Sequence, residues 1–454
     1  MLRILFLLIT ISCFPACKDD GLDKPPVAHP EDTVQLSDSL TIPPLQEMVV
    51  YEVNMRAFSD AGTFSGIQSR LDNIQDMGAN VIWLMPIYPI GEVKTVNSPY
   101  CIRDYRAVNA EYGSLNTLKA LVSAAHDRGM AVIIDWVANH TAWDHPWISA
   151  HKDWYSQDGN GNIIEPPGTG WTDVAELNYE SGSMRQEMIE SMLFWIDEAG
   201  IDGFRCDAID FVPDSFWNEA LASLKAHTDK DLILLGEGGV LANFEVGFEM
   251  NYAWDFKTAI ARVFSEGMSA ETIISTHKSE YTKVLAGGEK LRYITNHDLY
   301  AWETTPIEDF GLKGSVSAFV ITSYLGGIPL IYDGQEIGHP TNISFFDKNP
   351  INWSLNPDVY DAYKDIMTTR AELSAVHYGE MKSYTSKDVV AFKRFTAKQE
   401  VLVIVNVRNS LKVFDVPDEL ANTQWKDVLA DTDKTISSSV SLEGLQYLIL
   451  VRDL

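Results

Sequence analysis

The chain has 454 residues, a net charge of −29 at neutral pH and a sequence pI near 4.6. Such a length can bury a large core, as two or three domains or as one big barrel with additions. The acidic balance argues against nucleic acid or an anionic membrane surface as partner, because phosphates are gripped by clustered Lys and Arg; a neutral substrate would be indifferent to it.

The chain opens with Arg3 and a mostly apolar run from Ile4 to Ile11, too short to span a bilayer, followed by Ser12-Cys-Phe-Pro-Ala-Cys17. Residues 1–17 resemble a bacterial lipoprotein signal in which Cys17 would be lipidated and become the new N-terminus. Cys13 is a competing site, and a plain secretory peptide is the alternative. Lys18-Asp19-Asp20 resembles an acidic tag that sends some Gram-negative lipoproteins to the outer face. The expected location is therefore the outer membrane, facing the exterior, with a periplasmic or secreted protein as the alternative. Residues 18–45 lack hydrophobic period and read as a flexible tether. Beyond the signal only Cys101 and Cys206 remain, so no disulfide framework is implied.

From there strands and helices alternate. Apolar runs predict eight strands, at 48–54, 80–86, 131–135, 202–207, 231–236, 247–253, 291–296 and 328–332. Helical period fills 66–77, 118–128, 183–199, 214–227, 258–280, 314–325 and 357–375. An aperiodic excursion at about 141–180 interrupts the pattern after the third strand. Near-continuous apolar strands alternating with helices indicate a parallel sheet buried on both faces, and eight of them close a barrel; an open doubly wound sheet is the alternative. The expected fold is an α/β (β/α)8 barrel over 46–380, with a short inserted loop domain at 141–180 and a C-terminal antiparallel β-domain at 381–454. In the last, Val389-Val-Ala-Phe, Val401-Leu-Val-Ile-Val and Leu445-Gln-Tyr-Leu-Ile-Leu-Val read as short strands.

Polar residues collect at strand ends: Asp135 with Asn139-His140, Arg205 and Asp207, Glu237, and Asn296-His297-Asp298. In such a barrel the C-terminal strand ends converge on one face, where residues read as catalytic. Arg205 and Asp207, two apart on a strand, point the same way, so Arg205 is expected to hold Asp207 ionised with a depressed pKa. Glu237, among Leu235, Gly236 and Gly238, is expected to have its pKa raised by burial and neighbouring acids. Clustered carboxylates without a nucleophilic Ser or Cys favour glycosidic cleavage, with an ionised nucleophile and a protonated acid. Asp207 and Glu237 fit those roles. Part of the complement of 12 Trp, 18 Tyr and 19 Phe is available for stacking on sugar rings, most of it being core.

The stretches Asp135-Trp-Val-Ala-Asn-His140, Gly203-Phe-Arg-Cys-Asp207, Gly236-Glu237 and Thr295-Asn-His-Asp298 resemble, in order and spacing, the four signature regions of the α-amylase family, glycoside hydrolase family 13. Tyr100-Cys-Ile-Arg-Asp104-Tyr resembles that family's segment before the third strand. The resemblance, over about 48–454, implies a barrel with a loop domain after strand three, a C-terminal β-sandwich and a retaining mechanism on α-1,4-linked, starch-like glucans. It implies Asp207 as nucleophile, Glu237 as acid/base and Asp298 as the third acid. Tyr100, His140, Arg205 and His297 form the implied substrate-binding set, with Arg205 orienting Asp207. Asn139 and Glu176 are the implied calcium ligands; no organic cofactor is expected. Two departures bear on specificity: Asp210 and Phe211 stand where many members carry Lys-His, and Glu176 where Asp is commoner. Asp158-Gly-Asn160-Gly-Asn162 opens like a calcium loop but has Thr169 where a bidentate Glu would be needed, so a plain Asn-Gly turn is favoured. Neopullulanase-like hydrolysis or transglycosylation is the competing activity. A non-catalytic glycan-binding protein would be expected to lack one of the three acids, and all three are present.

Overall fold

The computed structural model describes residues 40–454; the signal, Cys17 and the tether as far as residue 39 lie outside the described residues. Eight parallel strands close into a barrel: β1 (Val50–Val53), β2 (Val81–Leu84), β3 (Ala131–Val137), β4 (Gly203–Asp207), β5 (Ile233–Gly236), β6 (Met250–Tyr252), β7 (Glu289–Arg292) and β8 (Ile328–Tyr332). Neighbours run in sequence order, with β8 returning to pair with β1.

Alternation decides what fills the barrel. Val50, Val81, Trp83, Ala131, Ile133, Ile233, Leu235, Leu291 and Leu330 form one interior cluster, while intervening residues such as Tyr51, Ile82, Val132 and Leu234 belong to the larger cluster under the helices. Both faces are thus buried, which is why the strands read as continuous apolar runs. Leu40, Ile42 and Leu45 pack against the interior cluster, so the described end of the expected tether is part of the core rather than free chain. Gly203, at φ +148°, lets β4 and β5 approach closely: a Cβ there would lie 2.0 Å from the Ile233 carbonyl oxygen.

Two expected helices are divided. Residues 66–77 form Phe64–Gln68 and Leu71–Asp76, and 357–375 form Pro357–Ala371 and Ser374–Tyr378, while the helices expected near 258–280 are Trp254–Ser265 and Glu271–Tyr281. Gly267, in the left-handed region, lies between the last two. By contrast Gly182–Ala199 is a single helix, capped by the Ser181 side chain and closed by left-handed Gly200. Strand β7 ends earlier than its apolar run, because Asn296 turns the chain by capping helix His297–Trp302.

The inserted segment is anchored by a two-stranded antiparallel pair, His140–Ala142 with Val174–Glu176. Beyond the barrel lie β9 (Glu380–Ser383), β10 (Val389–Phe395), β11 (Gln399–Asn406), β12 (Lys412–Asp415), β13 (Thr423–Asp427), β14 (Thr432–Ile436), β15 (Ser439–Leu442) and β16 (Tyr447–Asp453). They form a six-stranded sheet, ordered β9-β10-β11-β16-β13-β14, and a separate β12-β15 pair. Val390, Phe392, Val401 and Val403 join the main core, while Val389, Ala391, Leu402 and Phe414 form the core of the β-domain itself. This is the expected sandwich.

Candidate active site

The ends of β4, β5 and β7 deliver the expected acids to one place. A cavity of about 500 Å³ is lined by Asp207, Glu237 and Asp298 together with Tyr100, His140 and His297. Beneath it lies Arg205, wholly buried on β4. Its Nη1 donates to Asp135 Oδ1 at 2.9 Å and to Asp207 Oδ1 at 2.8 Å, its Nη2 stands 3.1 Å from Glu237 Oε2, and its Nε donates to the Tyr252 hydroxyl at 3.2 Å. One guanidinium thus serves both carboxyls expected to be catalytic. Arg205 does not line the cavity, which corrects its expected place among the sugar-contacting residues: it acts through the acids.

The turn after Asp207 ties the pair together. Ala208, left-handed at φ 45°, donates its N–H to Glu237 Oε2 at 2.8 Å. The Glu237 N–H in turn donates to the Cys206 carbonyl at 2.8 Å. Left-handed backbone at a residue with a Cβ is uncommon, and here it aims a donor at the acid.

Asp135, expected at the pocket, is fully buried behind it, accepting from Trp83 Nε1 at 3.2 Å and from the Tyr100 hydroxyl at 3.1 Å as well as from Arg205. Tyr100 lies 2.8 Å from His297 Nε2 and stacks on that ring, and His297 Nδ1 donates to Glu52. Asp298 Oδ2 is 3.3 Å from His297 Nε2. A relay therefore links Glu52, His297, Tyr100, Asp135 and Arg205 under the cavity floor. Sequence reasoning missed Glu52, although an acid inside the apolar run Val49-Val-Tyr-Glu-Val was the signal for it.

Burial dominates the electrostatics. It raises Asp207 to about 6 against the pull of Arg205, with Asp135 and Asp298 adding to the rise. This reverses the expected depression of the Asp207 pKa: sequence adjacency shows the cation but not the desolvation. Burial likewise raises Glu237 to about 7, again against Arg205 and with help from Asp207 and Asp298. The order of the two groups is the expected one, with Glu237 the later to ionise. Burial opposes the charge on His297, but Asp298 and Glu52 outweigh it and raise the ring to about 9. His140 goes the other way, lowered by burial to about 4 and hence neutral.

Four further aromatic residues share the wall: Trp171 from the inserted segment, Trp302 at the end of helix His297–Trp302, and Phe345 and Phe346 from the loop after β8. Trp302 is 63% exposed although it packs edge-on against Phe346, and none of the four was singled out from sequence.

Calcium takes six to eight oxygen ligands. Asn139 is buried with its amide nitrogen 3.3 Å from His140 Nδ1, and its carbonyl accepts from the Leu177 N–H. The Glu176 carbonyl accepts from Ser156, and among the described residues no group of three His, Cys, Asp or Glu converges to hold an ion. Asn139 and Glu176 by themselves supply a minority of those ligands. Asp158 is spent on Asn160 and Asn162, whose backbone N–H groups donate to its Oδ1 at 2.9 and 2.8 Å, making the plain turn expected there.

The site has counterparts. A family model described as "Alpha amylase, catalytic domain" matches residues 49–394. The α-amylase MalA of Haloarcula japonica is 27% identical over 425 residues, covering 87% of this chain but only 62% of its own length. An oligo-1,6-glucosidase of Halalkalibacterium halodurans is 33% identical over 202 residues, 37% of this chain and 35% of that one. Among solved structures, an α-amylase from Lactobacillus plantarum superposes with a TM-score of 0.82 at 26% identity, over 90% of this chain and 99% of that one.

Proposed function

The chain belongs to the α-amylase family of glycoside hydrolases, and from that premise we propose that it cleaves α-1,4-glucosidic bonds in starch-like glucans with retention of anomeric configuration. The observation that carries the reading is the single Arg205 guanidinium bound to both Asp207 and Glu237 at the edge of one aromatic-walled cavity. Asp207, ionised above about 6, attacks the anomeric carbon and forms a glycosyl ester as the C–O bond to the leaving sugar breaks. Glu237, protonated below about 7, gives its proton to the departing oxygen. It then takes a proton from water, which attacks the anomeric carbon, breaks its bond to the carboxylate oxygen and releases Asp207. His297, cationic up to about 9, and Asp298 grip hydroxyls of the distorted ring, the first donating and the second accepting.

A second reading, cleavage of α-1,6 bonds, is supported by the oligo-1,6-glucosidase relative, and transfer to a sugar acceptor in place of water remains its companion. Products from amylose, pullulan and isomaltose, with the anomer fixed by proton NMR at early times, test all three. Maltooligosaccharides released first as α-anomers support the proposal; β-anomers, or turnover of isomaltose alone, contradict it. Lipidation of Cys17 and display on the outer membrane belong to the same proposal, supported by the sequence of residues 4–20. Metabolic labelling with an alkyne fatty acid, lost in Cys17→Ser and retained in Cys13→Ser, tests it.

A further inference from the structure

Four acidic residues line the catalytic cavity, and the chemistry above uses three. The fourth is Asp173. Asp207 and Glu237 rest on Arg205, and Asp298 on His297. The Asp173 carboxyl, half-buried, has no cation beside it among the described residues, and what eases its burial is its own backbone N–H.

The segment carrying it is pinned. The Trp171 N–H donates to Thr169 Oγ1 at 3.1 Å, Trp143 Nε1 donates to the Thr172 carbonyl at 3.0 Å, and Cys101 Sγ donates to the Asp173 carbonyl at 3.3 Å. Immediately afterwards Val174 enters the two-stranded pair with Ala142. Held this way, the segment places Trp171 and, two residues on, Asp173 in the wall of the same cavity. The Trp171 ring packs edge-on to His140 at 5.4 Å, and its surface is extended by Phe211, 58% exposed and 5.8 Å away.

An ionised carboxylate only accepts hydrogen bonds. Half-removed from water and unpaired, it loses solvation that a ligand rich in O–H donors would restore, and bonds to a charged group are about twice as strong as neutral ones. Burial does raise the Asp173 pKa, with no cation opposing it. An aromatic face beside a free acceptor is what a sugar ring offers its apolar side and its hydroxyls to.

Resting on the hydrolase reading above, we propose that Asp173 and Trp171 form a sugar subsite adjoining the catalytic one, in which the Asp173 carboxylate accepts hydrogen bonds from ring hydroxyls and sets affinity for oligosaccharides rather than the rate of bond cleavage.

Asp173→Asn keeps the shape and removes the charge; Asp173→Ala removes both. Two readouts are compared with the unmodified residue. Titration calorimetry with maltohexaose, on an Asp207→Asn background, is expected to show affinity weakened about tenfold by either change, the worth of one hydrogen bond to a charged group. The ratio of kcat/KM on maltohexaose to kcat/KM on α-glucosyl fluoride, which fills the catalytic subsite alone, is expected to fall about as much, through KM. Equal affinity, an unchanged ratio, or a deficit that appears only when calcium is supplied would each overturn the assignment. A protein that binds maltohexaose but never cleaves it would sink the hydrolase reading and leave the affinity comparison intact.

Discussion

Arg205→Lys keeps the positive charge at the centre of the site and removes its geometry. The guanidinium reaches Asp135 and Asp207 from Nη1, approaches Glu237 from Nη2 and meets Tyr252 from Nε. An ammonium offers its donors from one point on a flexible stem. It can keep one of the three carboxyls in reach and loses the other two. Hydrogen bonds to charged groups are worth about 1.5–3 kcal/mol each; of the three carboxyls only Asp135 and Asp207 are hydrogen-bonded to the guanidinium, so the loss of one such bond comes to about 1.5–3 kcal/mol. No discount for solvent applies, since Arg205 and Asp135 are fully buried and Asp207 nearly so. That is a large share of the stability of an ordinary domain, about 5–15 kcal/mol. Urea unfolding at neutral pH should show a midpoint shift of this size with little change in slope. The acid limb of the rate profile should also move up, because an ammonium shared among three acids opposes the burial of Asp207 less than the guanidinium bonded to it. A loss below about 1 kcal/mol, the range of an exposed ion pair, with an unmoved acid limb would refute the reasoning.

The rate profile itself follows from the two raised carboxyls. Asp207 must be ionised, which requires a pH above about 6, and Glu237 must hold its proton, which requires a pH below about 7. A narrow bell in kcat/KM is expected between them, its limbs belonging to the coupled cluster rather than to single residues; a plateau extending to pH 9 would contradict it. Glu237→Gln should lower kcat on maltooligosaccharides by about 10²–10⁴-fold. It should affect the first step on α-glucosyl fluoride far less, since fluoride leaves without a proton; burst measurements separate the steps, and equal losses on both substrates would remove Glu237 from the acid role. Gly203→Ala puts a Cβ 2.0 Å from the Ile233 carbonyl and should prevent β4 and β5 from pairing. Soluble protein with native circular dichroism and unfolding midpoint would show that the barrel yields there.

What the sequence revealed, and what it did not, divides along physical lines. The eight strands were legible because burial on both faces leaves an unbroken apolar run, and the acids because Asp207, Glu237 and Asp298 stand where those runs stop. Glu52 was not read, because its partner His297 lies 245 residues away and an acid within an apolar strand carries no mark of what will pair with it. The Asp207 pKa was misjudged for a related reason. Arg205 is visible two residues off, whereas burial and the fields of Asp135 and Asp298 exist only in the closed barrel. Phe345 and Phe346 sit on a loop and Trp302 ends a six-residue helix, where no periodicity separates a wall of the cavity from ordinary filling. Leu40 and Ile42 show the same limit at the start of the chain, where short apolar residues between prolines and polar ones look like linker until the barrel floor receives them.

The most direct measurement is a covalent one. Incubation with 5-fluoro-α-D-glucosyl fluoride, whose glycosyl ester forms faster than it hydrolyses, should leave a label that mass spectrometry of the digested protein finds on Asp207. A label on Glu237 or Asp298, or inactivation with no label at all, would contradict attack by the carboxylate that Arg205 holds.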